Sequence, residues 1–264
     1  MTEDNTAGDP TGQNNPSKKV ADQYDRGYDY TTYFDKREYE NEAERLAIRR
    51  LLGDRRFDRA ADIGGGYGRL CVLLREYADH VTLAEPSQSQ LDAAAELLAN
   101  TDIEQVRTQA DDLAFDDESL DLITMVRVMH HLPDPTAEFA EIARVLKPGA
   151  TAIIEVANYG HFKNRRQFKK QGKVLPTEPV SIRTVQADEP DAIPFVNHNI
   201  ATVLGQLAAA GLTLQNKLSV SNLRSERLKQ LLPTGAMLAV EKRLQRRLAK
   251  NDFGPSIFLE LKKA

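Results

Sequence analysis

The chain has 264 residues, 41% hydrophobic and 28% charged, the composition of a soluble globular protein large enough to bury a substantial core. Its 35 Lys and Arg against 39 Asp and Glu leave a net charge of −4, which excludes a global attraction to nucleic acid or an anionic bilayer, and no apolar run reaches the roughly 18 residues a membrane span needs. Cys71 is the only cysteine, so an intramolecular disulfide and a cysteine-based metal cluster within the chain are excluded.

The first ten residues, MTEDNTAGDP, have neither the basic nor the apolar region of a secretory signal, and a cytoplasmic location is expected. Residues 1–20 are polar and aperiodic and read as a disordered tail. An N-terminal arm, 21–53, follows. Tyr24, Tyr28, Tyr30, Tyr33 and Phe34 crowd its start, which holds half of the eight tyrosines. Two readings stand for them: rings and hydroxyls lining a substrate pocket, or amphipathic side chains packing the arm. A helix is expected over 36–52, with Ala43, Leu46, Ala47 and Leu51 on one face and a stop at Gly53.

The sharpest motif is RAADIGGGYGRL, residues 59–70, where Asp62, Gly64, Gly66 and Gly68 alternate at the end of a short apolar run. A strand ending in such a turn lets the backbone approach a ligand that a Cβ would repel. The dinucleotide pattern G-x-G-x-x-G fails, because Arg69 or Cys71 stands where its last glycine belongs. The phosphate loop of nucleoside triphosphatases fails too, for want of Lys followed by Ser or Thr. An acid before G-x-G-x-G instead suits a cofactor with a cationic amino-acid end.

Beyond the turn, a helix carries Leu70, Leu73 and Leu74, and a strand ends at Glu85. Ser87 with Gln90 reads as a capping box opening a helix through Leu98. Residues 104–108 form a weak third strand and 120–125 a fourth, nearly all apolar as in a strand buried on both faces. Asp134 caps a helix starting at Pro135, whose stripe is Phe139, Ile142, Ala143 and Leu146. Lys147-Pro148-Gly149 stops it, and 150–157 is the fifth strand. Residues 158–194 are too long for an ordinary connection and read as an insertion at the rim of the site. A helix over 200–210, a strand over 213–220, a helical insert over 225–250 broken at Pro233, and a strand over 256–261 complete the chain. Alternating strands and helices imply an α/β fold: a doubly wound, mostly parallel sheet with ligand at the carboxyl ends of its strands.

Several stretches, in order, carry a resemblance: the Asp62 turn; Glu85, 23 residues later; QADDLAFDDESLDLITMVRVMHHLPDP, 109–135; and EIARVLKPGATAIIEV, 141–156. Together they resemble the class I S-adenosylmethionine (SAM) dependent methyltransferases, and VMHHLPDP resembles the group that includes the ubiquinone and menaquinone biosynthesis enzymes. The resemblance implies a Rossmann-like seven-stranded domain over 21–264, with SAM as cofactor and S-adenosylhomocysteine as product. It implies Asp62, Gly64, Gly65, Gly66 and Gly68 at the methionine end and Glu85 at the ribose. It also implies Gln109, Ala110 and Asp111 at the adenine. Relatives often have Asp where Gln109 stands, and a glutamine carbonyl accepts the same hydrogen bond. Asp111 and Asp112 also read as solvated acids.

Arg127 reads as a residue for the cofactor carboxylate or for an anionic group of the substrate. His130 and His131 are open between a catalytic base and a structural role in the turn. In FVNHN, Asn197 is expected to cap the next helix, with His198 as a substrate candidate. Two basic stretches remain. HFKNRRQFKKQGK, 161–173, is compatible with RNA. The helix at 237–250 sets Met237, Val240, Leu244 and Leu248 against Lys242, Arg243, Arg246, Arg247 and Lys250, a pattern compatible with peripheral membrane contact. A solvated face over a packed stripe is the expectation for both. The acceptor is expected to be a small molecule, and neither nucleic acid nor a metal is expected at the site.

Overall fold

The computed structural model describes residues 37–182 and 195–264. The tyrosines of the arm, Tyr24, Tyr28, Tyr30 and Tyr33, lie outside the described residues, as does part of the 158–194 insertion. Helix α1 (Glu38–Leu52) buries Tyr39, Ala43, Ala47, Ile48 and Leu51. Leu46, expected on that stripe, is only half-buried, and Glu44 is buried instead. The buried arc is turned because Glu44 pairs with arginines on the sheet side.

Strands β1 (Phe57–Ile63), β2 (Ala78–Glu85), β3 (Glu104–Arg107), β4 (Leu120–Met125) and β5 (Leu146–Ala157) pair in parallel, in the order β3-β2-β1-β4-β5. Helices α2 (Cys71–Leu74), α3 (Gln88–Leu98) and α4 (Thr136–Val145) are the crossovers. The insertion contributes α5 (Phe162–Lys170) and β6 (Val180–Ser181), which forms a separate antiparallel ribbon with β7 (Val196–Asn197) just beyond it. Helix α6 (Ile200–Ala209) leads to β8 (Leu212–Val220), and α7 (Glu226–Leu231) and α8 (Thr234–Ala249) lead to β9 (Ser256–Lys263). Strand β9 inserts antiparallel between β5 and β8. The last two strands are thus separated in sequence by a helical insert, as the chain pattern predicts.

Side-chain alternation divides the core between the two faces of the sheet. Ala60, Leu122, Ile153 and Phe258 join α1, α2, α3 and Met237 of α8 on one face. Ala61, Ile123, Ile154 and Leu259 join α4 and α6 on the other. Phe139 and Phe258 are fully buried, each contributing on the order of 2–3 kcal/mol of apolar burial.

Four local expectations change. Strand β5 begins at Leu146, with Gly149 at φ +77° in its first turn, so Lys147-Pro148-Gly149 lies within an irregular strand start and Leu146 leaves the helix. Helix α4 starts at Thr136, and Asp134 Oδ1 accepts from the Thr136 N–H and hydroxyl at 3.2 and 2.6 Å. Asn199, and not Asn197, caps α6 by accepting from the Ala201 N–H, because Asn197 is committed to the ribbon. The buried stripe of α8 is Met237, Glu241, Gln245 and Ala249, and Val240 is exposed. Polar residues occupy it because α1 presents polar partners: Tyr39 donates to Glu241 at 2.7 Å, and Gln245 donates to the Ala43 carbonyl at 3.0 Å. Met237, the apolar member of the expected membrane face that is fully buried, is thereby packed within the protein.

Candidate active site

The strand order reverses between β1 and β4, and the crevice at their carboxyl ends is the expected ligand site of a doubly wound sheet. The first wall is the glycine turn. The Gly64 N–H extends the ladder to the Ala84 carbonyl at 2.7 Å, and the chain then turns with Gly64 at φ +63° and Gly66 at +58°. A Cβ on Gly64 would lie 2.5 Å from Val128 Cγ2, and one on Gly65 would lie 2.5 Å from Leu83 Cδ1 and 2.6 Å from Asp62 Oδ2. Gly68 differs from the expectation: it is buried, lies away from the crevice, and faces Leu98, whose Cδ1 would meet its Cβ at 2.9 Å. Its φ of +82° and its packing against α3 account for the glycine.

Asp62 is buried beneath the turn, and its Oδ1 accepts from Thr124 Oγ1 at 2.6 Å. Burial pushes its carboxyl up to about 6, against the stabilising effect of that bond and of Arg69. Cys71 is buried behind it, with its Sγ 3.9 Å from Asp62 Oδ2, and burial raises its thiol well above the ordinary value. It is an inert core residue.

Glu85 ends β2 with both oxygens engaged by backbone. Oε2 accepts from Gly66 N–H at 2.9 Å and Oε1 from Ser87 N–H at 3.0 Å. Glu85 also lines the crevice. Ser87 Oγ accepts from the Gln90 N–H, as expected of a cap, but Gln90 does not return the bond, since Glu85 has taken the Ser87 N–H.

The third wall is the loop after β3. Gln109, Ala110 and Asp111 line the crevice, whereas Asp112 is exposed. Thr108 Oγ1 donates to the Asp112 carbonyl at 2.8 Å, and Glu141 of α4 accepts from the Leu113 N–H at 2.9 Å. Arg144 braces the same loop through the Leu113 and Phe115 carbonyls.

Arg127 follows β4 at φ +65°, and its N–H donates to Glu155 Oε2 at 3.1 Å. Its guanidinium approaches Glu44 at 3.4 Å, and Glu44 also pairs with Arg69. Both arginines line the crevice. Glu155 is buried, and burial raises its carboxyl above the usual range.

His131 lines the crevice, but His130 does not. The His130 ring packs between His131, at 3.9 Å, and Phe195, at 5.0 Å. Burial, with His131 and Arg127 beside it, holds it well below the ordinary histidine value and so neutral. His198 also lies outside the crevice. It is 2% exposed, and its Nε2 lies 2.8 Å from the Met129 carbonyl, which ties β7 to the 3₁₀ turn at Met129–His131.

The crevice encloses about 970 Å³ of empty space including its open mouth. Asp62, Glu85, Asp111 and Glu138 line it against Arg69 and Arg127, an acidic excess suited to a cationic ligand. Four buried side-chain atoms lack a hydrogen-bond partner among the described residues, and two of them, Gln90 Oε1 and Glu138 Oε2, belong to this lining. Both are acceptors that need a donor. Gln90, Glu138, Arg69 and Leu132 also line the crevice, with no motif or spacing in the sequence to single them out for it.

A sheet of order β3-β2-β1-β4-β5-β9-β8, with a glycine cradle, an acid at the end of β2 and the ligand crevice over β1 and β4, is a Rossmann-like doubly wound fold. Residues 61–154 match the family model described as a methyltransferase domain. The chain is 32% identical over 111 residues to the demethylmenaquinone methyltransferase of Clavibacter sepedonicus, covering 42% of this chain and 45% of that one. It is also 32% identical over 104 residues to the ubiquinone/menaquinone biosynthesis C-methyltransferase UbiE of Xanthomonas oryzae, covering 37% and 41%. The matches thus span less than half the length of these curated relatives. Among solved structures, the Haloferax volcanii methyltransferase in complex with the Trm112 activator aligns over 93% of this chain and 97% of its own, with a TM-score of 0.60 and 20% identity. A SAM-dependent methyltransferase from Mesorhizobium loti aligns over 84% and 98%, with a TM-score of 0.56 and 18% identity. At such identities the structural matches speak for the fold. No helix among the described residues is long and apolar enough to cross a membrane, and no cluster of metal-ligating side chains occurs among them.

Proposed function

We propose that the protein methylates a small-molecule acceptor with SAM. The observation that carries this reading is the pairing of Glu85 with the Gly66 N–H inside an acidic crevice that holds two unpartnered acceptors. The cofactor supplies a methyl on a sulfonium, which an acceptor atom takes by direct displacement while the bonding pair returns to sulfur. The protein then has mainly to align the partners and exclude water. In this reading Glu85 accepts from the ribose hydroxyls, Gly64 to Gly66 admit the methionine end, and Asp62 faces its ammonium. Gln109 and Ala110 lie at the base. Arg69 and Arg127, which both line the crevice and share Glu44, are the arginines offered to the cofactor carboxylate. His131, as the histidine of the crevice, is the group available to take a proton from an acceptor that must lose one.

A second reading, an RNA methyltransferase, is favoured by α5. Lys163, Arg166, Lys169, Lys170 and Lys173 are all exposed, and no ion pair engages them among the described residues. Retention of RNA that falls steeply with salt and is lost on neutralising Lys169 and Lys170 would select it.

The primary test is calorimetric titration with SAM and S-adenosylhomocysteine, with NAD as control, followed by an acceptor screen. Saturable binding of the first two alone, then turnover of a small acceptor, is the expected result. Binding of neither overturns the reading, and binding without turnover across a broad panel supports a cofactor-binding protein without catalysis.

A further inference from the structure

Glu138 lies in the first turn of α4, 7% exposed, with Oε2 unpartnered among the described residues and the side chain lining the crevice. Its place is set by the helix. Glu141, three residues on and on the same face, clamps the loop after β3 through the Leu113 N–H, so Glu138 is held one turn earlier, toward Asp111 of that loop. The neighbouring loop residue Gln109 also lines the crevice.

These two residues read a base differently. A glutamine amide turns to present either its carbonyl or its NH₂, so Gln109 serves a 6-amino and a 6-oxo purine alike. An ionised carboxylate only accepts. We propose that Glu138 is the specificity-determining residue for the cofactor base, with its free carboxylate oxygen accepting from the exocyclic amino group of adenine. The inference rests on the cofactor reading above. It gives the buried orphan acceptor its donor, and it moves base discrimination from the loop to the helix that follows the VMHHLPDP turn. Burial, with Asp111 and Asp134 nearby, pushes the carboxyl up to about 6, so the group is ionised and acceptor-only at pH 8.

The test is calorimetry at pH 8 with S-adenosylhomocysteine and its 6-oxo analogue S-inosylhomocysteine, on the wild type, Glu138→Gln and Glu138→Ala. Thermal melting checks that each variant folds. The wild type is expected to prefer the adenine compound by at least about tenfold, since the 6-oxo group would set two acceptors against each other. Glu138→Gln should bring the ratio to about one or invert it, because the new amide can donate to the oxo group; Glu138→Ala should weaken adenine binding and lower the ratio. Adenine binding with the same ratio in Glu138→Gln, or with no preference in the wild type, overturns this proposal alone. Binding of neither compound by the wild type overturns the cofactor reading and this proposal with it.

Discussion

Glu85 Oε2 accepts a hydrogen bond of 2.9 Å from the backbone N–H of Gly66. This one contact joins the end of β2 to the turn after β1, so the residue assigned to the ribose also sets the shape of the glycine cradle. Glu85→Ala is therefore expected to lower stability as well as affinity, since the Gly66 and Ser87 N–H groups both lose a charged acceptor. Loss of two such bonds, at about 1.5–3 kcal/mol each, should weaken S-adenosylhomocysteine binding by more than about tenfold and depress Tm. Glu85→Gln should keep most of the stability and less of the affinity. Unchanged affinity in a folded Glu85→Ala protein would remove the ribose assignment.

Gly64 carries two separable constraints. Its φ is +63° and a Cβ would meet Val128 Cγ2 at 2.5 Å. Gly64→Ala should cost about 1–2 kcal/mol for the left-handed backbone and more for the clash. Adding Val128→Ala should relieve the clash and leave the backbone cost. Urea unfolding of the single and double variants separates the two, and full recovery in the double variant would mean that the backbone conformation is not strained.

Asp62 makes stability depend on pH. Its carboxyl is raised from 3.8 to about 6 by burial, so between those values the folded chain binds more protons than the unfolded one, and stability falls as pH rises through that window. The shift corresponds to about 3 kcal/mol. Asp62→Asn, which keeps an acceptor for Thr124, should flatten this part of the profile between pH 4 and 7. The same slope in the variant would place the titration elsewhere.

Tyr39 and Glu241 are 202 residues apart and joined at 2.7 Å, and the Tyr39 hydroxyl also accepts from the Leu223 N–H at 3.1 Å. Tyr39→Phe leaves that N–H and a buried carboxylate short of a partner, a loss of about 1–3 kcal/mol. A double-mutant cycle with Glu241→Gln should show coupling; strict additivity would mean the bond contributes nothing.

Legibility varied with how local the determinant was. Ser87 was readable as a cap because its oxygen serves an N–H three residues away. The other half of that box, Gln90, was misassigned because Glu85 from the preceding strand had taken the Ser87 N–H. Gly68 shows the same limit: the alternating glycines stand out in the motif, but whether Gly68 faces ligand or Leu98 depends on where α3 packs. The stripe of α8 failed for a related reason. Hydropathy nominated Val240, while the partners offered by α1 buried Glu241 and Gln245.

The order of strands and helices along the chain, the glycine turn and the acid ending β2 were determined by the sequence itself, because periodicity, left-handed backbone and motif spacing are properties of neighbouring residues. Which histidine reaches the crevice, how Glu44 gathers Arg69 and Arg127, and why Glu138 is left with an open acceptor were decided only by the tertiary structure. Each depends on groups brought together from distant segments, and whether a buried polar atom is satisfied is a property of the packed chain, with no local period to announce it.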